Sequence, residues 1–218
     1  MTHNYRTGVL LFVLIIISAT FIFGQHSAYW NQKVSMYSVL PNDSSEIIFL
    51  GDSITDRCEW VELFSNSNVK NRGLSGDKTN GVLDRLAEVT ESKPDKIFIM
   101  IGVNDIRHNV ADSTIAKNYY KIIKKIKTNS PNTKIYVQSV LPVNNDIGKP
   151  KTTNEKVNKL NNIIKEIAAS FEVPYIDINS KLQNSAGQLD AKYSEDGLHI
   201  NGNAYLVWKS VVKEYVEE

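Results

Sequence analysis

Residues 46–55 read Glu-Ile-Ile-Phe-Leu-Gly-Asp-Ser-Ile-Thr, and this stretch predicts the centre of the fold. The four apolar residues 47–50 are typical of a strand buried on both faces, as the central strands of parallel sheets are, and the run is too short for a buried helix. Gly51 ends the run, and small polar side chains follow where ligand crevices of open α/β sheets lie. Taken alone, the same residues are equally an ordinary turn in which Asp52 or Ser53 caps the next helix.

Further apolar runs follow along the chain, and amphipathic helical patterns separate them. Short connections and a fivefold alternation of strand and helix predict a three-layer α/β/α sandwich with a five-stranded parallel sheet. The later predicted strands are residues 69–71, 96–101, 134–141 and 173–178. The predicted helices are residues 59–64, one through Val82, Leu83, Leu86 and Val89, one from Ser113 through Ile126, one from Val157 through Ile167 and a last one from Tyr205 through Tyr215.

Composition limits the class of protein. The chain has 218 residues, 42% of them hydrophobic, which suits one globular domain with a substantial core. The 25 basic residues nearly balance the 24 acidic ones and form no basic block, so a nucleic-acid partner is not indicated. The one cysteine, Cys58, excludes an intrachain disulfide, and its position on the first predicted helix favours a packing role over a nucleophilic one.

The first residues resemble a targeting segment. An apolar run at residues 9–23 is short for a membrane span and suits the core of a signal peptide. We therefore predict a signal peptide over residues 1–24, cleaved after Gly24. Because Ile22 is large for its place in a cleavage site, an uncleaved membrane anchor stays open. In either case we expect an exported protein, periplasmic or secreted.

Two segments follow the leader in this prediction. Residues 25–45 alternate between polar and aromatic side chains and show neither a helical nor a strand periodicity. We call this segment the lead-in and expect it to pack across the domain. Residues 46–218 form the predicted main domain.

Acyl transfer by a serine needs a base, a group that orients the base, and donors for the oxyanion. The chain has four histidines, and two of them lie in or beside the predicted signal peptide, which leaves His108 and His199. Asp105 precedes His108 by three residues, and Asp196 precedes His199 by the same number. Either carboxylate could reach its imidazole across one turn, so the spacing alone does not decide.

A glycine-containing loop lies between the second strand and the next helix. Gly73 and Gly76 are spaced as in a phosphate-binding loop, but the third glycine and a Gly-Lys-Ser/Thr ending are missing. We expect instead that these glycines let backbone N–H groups approach a bound atom closely. Asp77 and Thr79 are expected to cap the following helix.

Four blocks of sequence together resemble the SGNH hydrolases, also called the GDSL esterase/lipase family. The resemblance covers residue 46 to the carboxyl terminus. Within the family, the blocks are most similar to those of the bacterial acetylesterase and platelet-activating-factor-acetylhydrolase-like branch. It implies the flavodoxin-like version of the predicted sandwich. The blocks are Gly51-Asp52-Ser53-Ile54, Gly73-Leu74-Ser75-Gly76-Asp77, Gly102-Val103-Asn104-Asp105 and Asp196-Gly197-Leu198-His199.

The resemblance also implies roles for individual residues. Ser53 would be the nucleophile, His199 the general base and then acid, and Asp196 the group that orients His199. The Gly76 backbone N–H and the Asn104 side-chain amide would join the Ser53 N–H as oxyanion donors. The family uses no metal and no cofactor, and the Gly-x-Ser-x-Gly elbow of the α/β-hydrolases is absent.

The leader and the family resemblance together predict an exported serine esterase that removes small acyl groups, acetyl above all, through an acyl-enzyme. An O-acetylated glycan is the expected substrate. The alternatives are an O-acetyltransferase, a lysophospholipase or thioesterase of the same family, and a binding module without activity. The oligomeric state is left open.

Overall fold

The computed structural model describes residues 26–218, so the predicted signal peptide lies outside the described residues. Five strands form one sheet in the order β2-β1-β3-β4-β5, and every neighbouring pair is parallel, as predicted. The strands are β1 (Ile47–Gly51), β2 (Val69–Gly73), β3 (Lys96–Met100), β4 (Lys134–Gln138) and β5 (Tyr175–Ile176).

Helices connect the strands and cover the sheet on both sides, which confirms the predicted sandwich. Two short 3-10 helices, Asn179–Lys181 and Ala191–Tyr193, lie between β5 and the last helix. The α-helices are α1 (Ala28–Tyr37), α2 (Ser53–Asp56), α3 (Trp60–Phe64), α4 (Thr79–Asp84), α5 (Leu86–Glu91), α6 (Val103–Arg107), α7 (Asp112–Asn129), α8 (Asn154–Ser170) and α9 (Gly202–Glu217).

Aromatic residues form much of the contact between the sheet and the helices on one of its two faces. Phe49, Phe98 and Tyr136 occupy paired positions on β1, β3 and β4, with ring centroids 4.9 and 4.6 Å apart. Trp60 of α3 stacks on Phe49 at 3.9 Å, and Trp208 of α9 meets Trp60 edge-on at 5.0 Å. These contacts bury large apolar surfaces and hold α3 and α9 against the sheet.

Three strands are shorter than the apolar runs that predict them, and at the ends of two of these strands a side chain replaces the neighbouring strand as the hydrogen-bond partner. At the end of β3, the Tyr119 hydroxyl contacts both the N–H and the carbonyl of Ile101. After β4, the Asn161 amide accepts from the Val140 N–H and donates to its carbonyl. Strand β5 keeps two residues of the predicted six.

The predicted continuous helix over residues 82–89 is wrong. The chain forms α4 and α5 instead, and Arg85 separates them with φ −104° and ψ 7°. The Arg85 guanidinium is buried and donates to the carbonyl oxygens of Gly51 and Arg72, at 3.2 and 3.0 Å. The break therefore accompanies a set of contacts that a hydrophobic period cannot indicate.

The lead-in segment contains α1 and packs on the domain. Tyr29 donates to the Asp56 carboxylate at 3.0 Å, and Trp30 Nε1 donates to Asp77 Oδ1 at 3.2 Å. The limits of the lead-in at residues 25 and 45 stay a prediction. Among the described helices, none is both long and apolar enough to cross a bilayer.

Candidate active site

The register of the sheet brings three of the candidate residues to one edge. Gly51, the last residue of β1, pairs with Gly73 at the end of β2 and with Met100 at the end of β3. Ser53, Gly76 and Asn104 follow these strand ends within four residues. They therefore lie at the carboxyl edge of the sheet, where open α/β sheets form ligand crevices.

Ser53 is the first residue of α2, and Asp52 holds the turn that presents it. The Asp52 carboxylate accepts the N–H of Ile54 at 3.0 Å, which is the capping role predicted for it. Burial raises the pKa of Asp52 to about 7; the bond from Ile54 opposes that rise, and the charges of Asp77 and Asp105 add to it. The residue before the candidate nucleophile is thus a buried carboxyl group that titrates near neutrality.

His199 and Ser53 are in hydrogen-bond contact although 146 positions separate them in the chain. The distance from Ser53 Oγ to His199 Nε2 is 3.0 Å, and that from His199 Nδ1 to Asp196 Oδ2 is 2.6 Å. A carboxylate can only accept, so the proton of neutral His199 belongs on Nδ1 and leaves Nε2 free to accept from the serine hydroxyl. This is the arrangement of a nucleophile, a base and an orienting carboxylate.

The turn that carries Asp196 fixes its carboxylate in place. Asp196 Oδ1 accepts the backbone N–H groups of Leu198 and His199, at 2.9 and 2.7 Å. Partial burial raises the pKa of Asp196, but the bonds from the His199 ring and from these two N–H groups outweigh it and lower the pKa to about 2. Asp196 is therefore ionised at neutral pH, as an orienting carboxylate must be.

Gly76 occupies a turn at the end of the β2 loop. The N–H of Asp77 donates to the Leu74 carbonyl at 3.0 Å, and Gly76 has φ +81°, the conformation that favours glycine at the third position of a type II turn. Gly76 itself is exposed, and its N–H has no partner within the part of the chain that the structure describes. That N–H is available to a ligand.

Asn104 is held by a residue that the sequence analysis did not identify. Arg107 donates to Asn104 Oδ1 at 3.0 Å, which fixes the amide with its oxygen towards the guanidinium. Asn104 Nδ2 donates one hydrogen to the Asp77 carbonyl at 2.9 Å, beside Gly76, and its second hydrogen remains for a ligand. A basic residue three positions after Asn104 on the same short helix is the sequence signal for this contact.

The loop between β4 and α8 connects this amide with the Asp196 turn. Arg107 also donates to the Pro150 carbonyl at 2.7 Å, and the Asn144 N–H donates to the Gly197 carbonyl at 2.8 Å. At Gly148 the loop lies so close to the turn that a Cβ would collide with the Asp196 carbonyl oxygen. The loop therefore supports both halves of the candidate site, beyond the pocket-wall role that its length indicates.

The alternative pair, Asp105 and His108, is not assembled. The Asp105 carboxylate accepts from the N–H and the hydroxyl of Thr79, with closest distances of 3.0 and 2.6 Å. His108 Nδ1 lies 2.7 Å from the Asn104 carbonyl and donates to it. The predicted capping by Asp77 and Thr79 is also wrong, because Asp105 caps α4 through the Thr79 N–H and Asp77 pairs with Arg85 at 2.8 Å.

Neither Cys58 nor a cluster of metal-binding side chains contributes a reactive group to the candidate site in the part of the chain that the structure describes. Cys58 is buried, and burial with the nearby charges of Glu59 and Glu62 raises the pKa of its thiol to about 12. It is therefore a packing residue, as predicted. Within residues 26–218, no group of three or more His, Cys, Asp or Glu side chains is arranged to hold a metal ion.

The fold and the residues at its carboxyl edge define an SGNH-type acylhydrolase, and comparison with known proteins agrees. A sequence model of the GDSL-like lipase/acylhydrolase family matches residues 49–207. The chain belongs to this family and is an ester-cleaving hydrolase.

Individual relatives are consistent with that assignment. Platelet-activating factor acetylhydrolase IB subunit alpha2 from Rattus norvegicus is 30% identical over 167 residues, which cover 73% of this chain and 71% of that protein. A Streptococcus pneumoniae structure described as a platelet activating factor is 29% identical with a TM-score of 0.80, and the match covers 86% of this chain and 92% of that one. A GDSL-like lipase from Bacteroides thetaiotaomicron, 22% identical over 86% of this chain and 97% of its own, shares the fold with a TM-score of 0.74.

Proposed function

We propose that the protein is an exported serine esterase that removes small acyl groups, chiefly acetyl, from an alcohol. The observation that carries the proposal is the continuous contact from Ser53 through His199 to Asp196. The chain uses a serine hydroxyl, an imidazole and a carboxylate in the geometry that nucleophilic acyl transfer needs.

The reaction proceeds in two halves. Ser53 Oγ attacks the ester carbonyl carbon while its proton moves to His199 Nε2, and the oxyanion is bound by the N–H groups of Ser53 and Gly76 and the Asn104 amide. The C–O bond then breaks, and the proton passes from His199 to the alcohol oxygen. Water attacks the acyl-enzyme with the same base, which releases the carboxylic acid and restores the Ser53 hydroxyl.

Two considerations support an acetylated glycan as the natural ester. The predicted signal peptide would bring the enzyme to polysaccharides outside the cytoplasm, and several of the side chains around the candidate site are polar and exposed. Export itself rests on the sequence of the leader.

A second candidate function is cleavage of an acetylated lipid. It is favoured by the 30% identity to the platelet-activating factor acetylhydrolase subunit and by an apolar cleft beside His199. Its apolar lining consists of Leu63 of α3, Ile200, and Tyr205 and Leu206 of α9; the charged residues Arg57, Glu59 and Glu62 line it as well.

The experiment that tests the proposal is hydrolysis of 4-nitrophenyl acetate by the wild-type chain and by Ser53→Ala. Loss of turnover in the variant, with an unchanged melting temperature, is expected. Equal rates of hydrolysis in the two proteins would refute the assignment of Ser53 as the nucleophile. Addition of an acceptor oligosaccharide, with analysis for transferred acetyl, separates hydrolysis from O-acetyl transfer.

A further inference from the structure

A polar groove of about 510 Å³ opens at Gly76, beside the candidate oxyanion site. One wall is the start of the lead-in, where His26 and Trp30 stack with ring centroids 3.7 Å apart. Lys78 and His108 also line the groove. We propose that this groove binds the alcohol part of the ester and that this part is a pyranose sugar. The proposal rests on the function proposed above, because Gly76 links the groove to the reacting atoms.

The lead-in is anchored to the segments that carry the site. Trp30 Nε1 bonds Asp77, the neighbour of Gly76, and His26 Nε2 lies 2.9 Å from the Asp84 carboxylate at the end of α4. Lys33 pairs with Asp56 of α2 at 3.1 Å. The stacked rings lie outside residues 49–207, the part of the chain that the family model matches. The wall that they form is therefore not part of the sequence that identifies the family.

The groove offers both hydrogen-bond donors and acceptors that the protein itself leaves free. Across the described part of the chain, no side chain or carbonyl pairs with Lys78 Nζ or with the Asn80 amide. His108 Nδ1 is committed to the Asn104 carbonyl, so Nε2 of the neutral ring is an acceptor.

The combination of free donors and acceptors in the groove suits a polyol better than an acyl chain or an anion. Each sugar hydroxyl donates and accepts at once, so alternating donors and acceptors satisfy it. An anion would meet one lysine, Lys78, in a groove that also contains the Asp77 carboxylate. An acyl chain would leave the polar groups of the groove without partners. The stacked rings give the C–H groups of a pyranose an apolar surface to pack against.

The test compares two esters of the same acid on the full chain. The probes are a mono-O-acetylated methyl β-xylopyranoside and 4-nitrophenyl acetate, and the variants are Lys78→Met and Asn80→Leu. For each variant we expect the kcat/KM ratio of sugar acetate to 4-nitrophenyl acetate to fall about tenfold, the effect of one lost polar contact. Lys121→Met, on the exposed face of α7, is the matched control and keeps the wild-type ratio.

A binding measurement makes the test independent of turnover. Methyl β-xylopyranoside is titrated into Ser53→Ala while the indole N–H resonances are followed by NMR. The Trp30 resonance is expected to shift saturably, and those of the buried Trp60 and Trp208 serve as internal references. Lys78→Met in the same background weakens this binding.

Several outcomes overturn the proposal without touching the esterase assignment. These are Ser53-dependent cleavage of 4-nitrophenyl acetate without cleavage of the sugar acetate, unchanged ratios in the groove variants, or a Trp30 resonance that does not move. Cleavage of a 2-acetyl glycerophospholipid that Leu206→Ser weakens, with no cleavage of the sugar acetate, would assign the alcohol site to the apolar cleft. Failure of the esterase proposal itself appears as turnover retained by Ser53→Ala.

Discussion

At the scale of single residues, the candidate oxyanion site depends on the orientation of the Asn104 side-chain amide. Asn104 is 2% exposed, and Arg107 and the Asp77 carbonyl hold its two ends. An amide that is fixed before the substrate arrives loses no orientation free energy when charge develops on the carbonyl oxygen. The residue that holds Asn104 is therefore expected to affect the rate.

Asn104→Ala is predicted to lower kcat by a factor of about 10² to 10³ with little change in KM, because the amide bonds mainly to the charge of the transition state. Steady-state kinetics on 4-nitrophenyl acetate measure both constants. Asn162→Ala, at an exposed position of α8, is the control. A rise in KM with kcat unchanged would contradict the assigned role.

Arg107→Ala is predicted to lower kcat by a smaller factor, of the order of tenfold, because the Asn104 amide then samples other orientations. A double-mutant cycle separates positioning from a direct role. In the Asn104→Ala background, loss of Arg107 should lower kcat by a clearly smaller factor than in the wild type, because only the contact with the Pro150 carbonyl is then lost. Additive losses would mean that Arg107 acts on the substrate or on another part of the site.

Asp52 predicts a pH dependence of stability. Its pKa rises from 3.8 to about 7 in the folded protein, so the folded state binds more protons between these values and the free energy of unfolding falls as pH rises through this window. In the Asp52→Asn variant, the amide oxygen can still accept the Ile54 N–H, but the side chain does not titrate. The free energy of unfolding of this variant should therefore fall by up to about 4 kcal/mol less than that of the wild type over the same pH range. Urea unfolding at pH 4, 5.5 and 8 measures it, and parallel pH profiles of the two proteins would show the prediction to be wrong.

At the scale of elements, buried Arg85 connects the ends of β1 and β2 with the loop that carries Gly76. Arg85→Met leaves the buried Asp77 carboxylate without its partner and should lower the free energy of unfolding by about 3–5 kcal/mol. Denaturant unfolding measures this change. Arg57→Met, an exposed control, should change it by less than about 0.5 kcal/mol. A loss no larger than that of the control would exclude a structural role for the pair.

The loop between β4 and α8 is predicted to act on the rate through the Asp196 turn. Gly148→Ala places a Cβ against the Asp196 carbonyl, so the turn must shift and the contact between His199 and Ser53 loosens. We expect kcat to fall at least about tenfold. Gly202→Ala, where a Cβ meets open space, is the matched control. Full activity of Gly148→Ala would mean that loop and turn are independent.

The elements themselves show what a sequence can predict. The apolar runs of β1 and β3 fixed their type and order, since a buried parallel strand needs apolar side chains on both faces. Their ends were less predictable, because Ile101 and Val140 are apolar and buried yet bond to Tyr119 and Asn161. Such contacts between side chain and backbone join positions far apart in sequence, and no local period encodes them.

At the scale of the whole molecule, the candidate site is assembled from the segments that follow the carboxyl ends of several strands and from the turn before α9. The resemblance of four sequence blocks to a known family implied roles for Ser53, Asn104 and His199, whereas residue type and spacing alone left His108 and His199 both open. The spacing of Arg107 and Asn104 on one short helix indicates their contact, but the bond from Arg107 to the Pro150 carbonyl of a distant loop could not be predicted. The groove on the lead-in could not be predicted either, since α1 shows no clear hydrophobic period and lies outside residues 49–207, which the sequence model of the family matches.

The most direct measurement labels the nucleophile. A fluorophosphonate reacts with a serine hydroxyl only where a neighbouring base activates it. Peptide mapping by mass spectrometry should find a single adduct on Ser53 in the wild-type chain, very slow labelling in His199→Ala and none at that site in Ser53→Ala. An adduct on another residue, or labelling of Ser53 at the same rate without His199, would contradict the account.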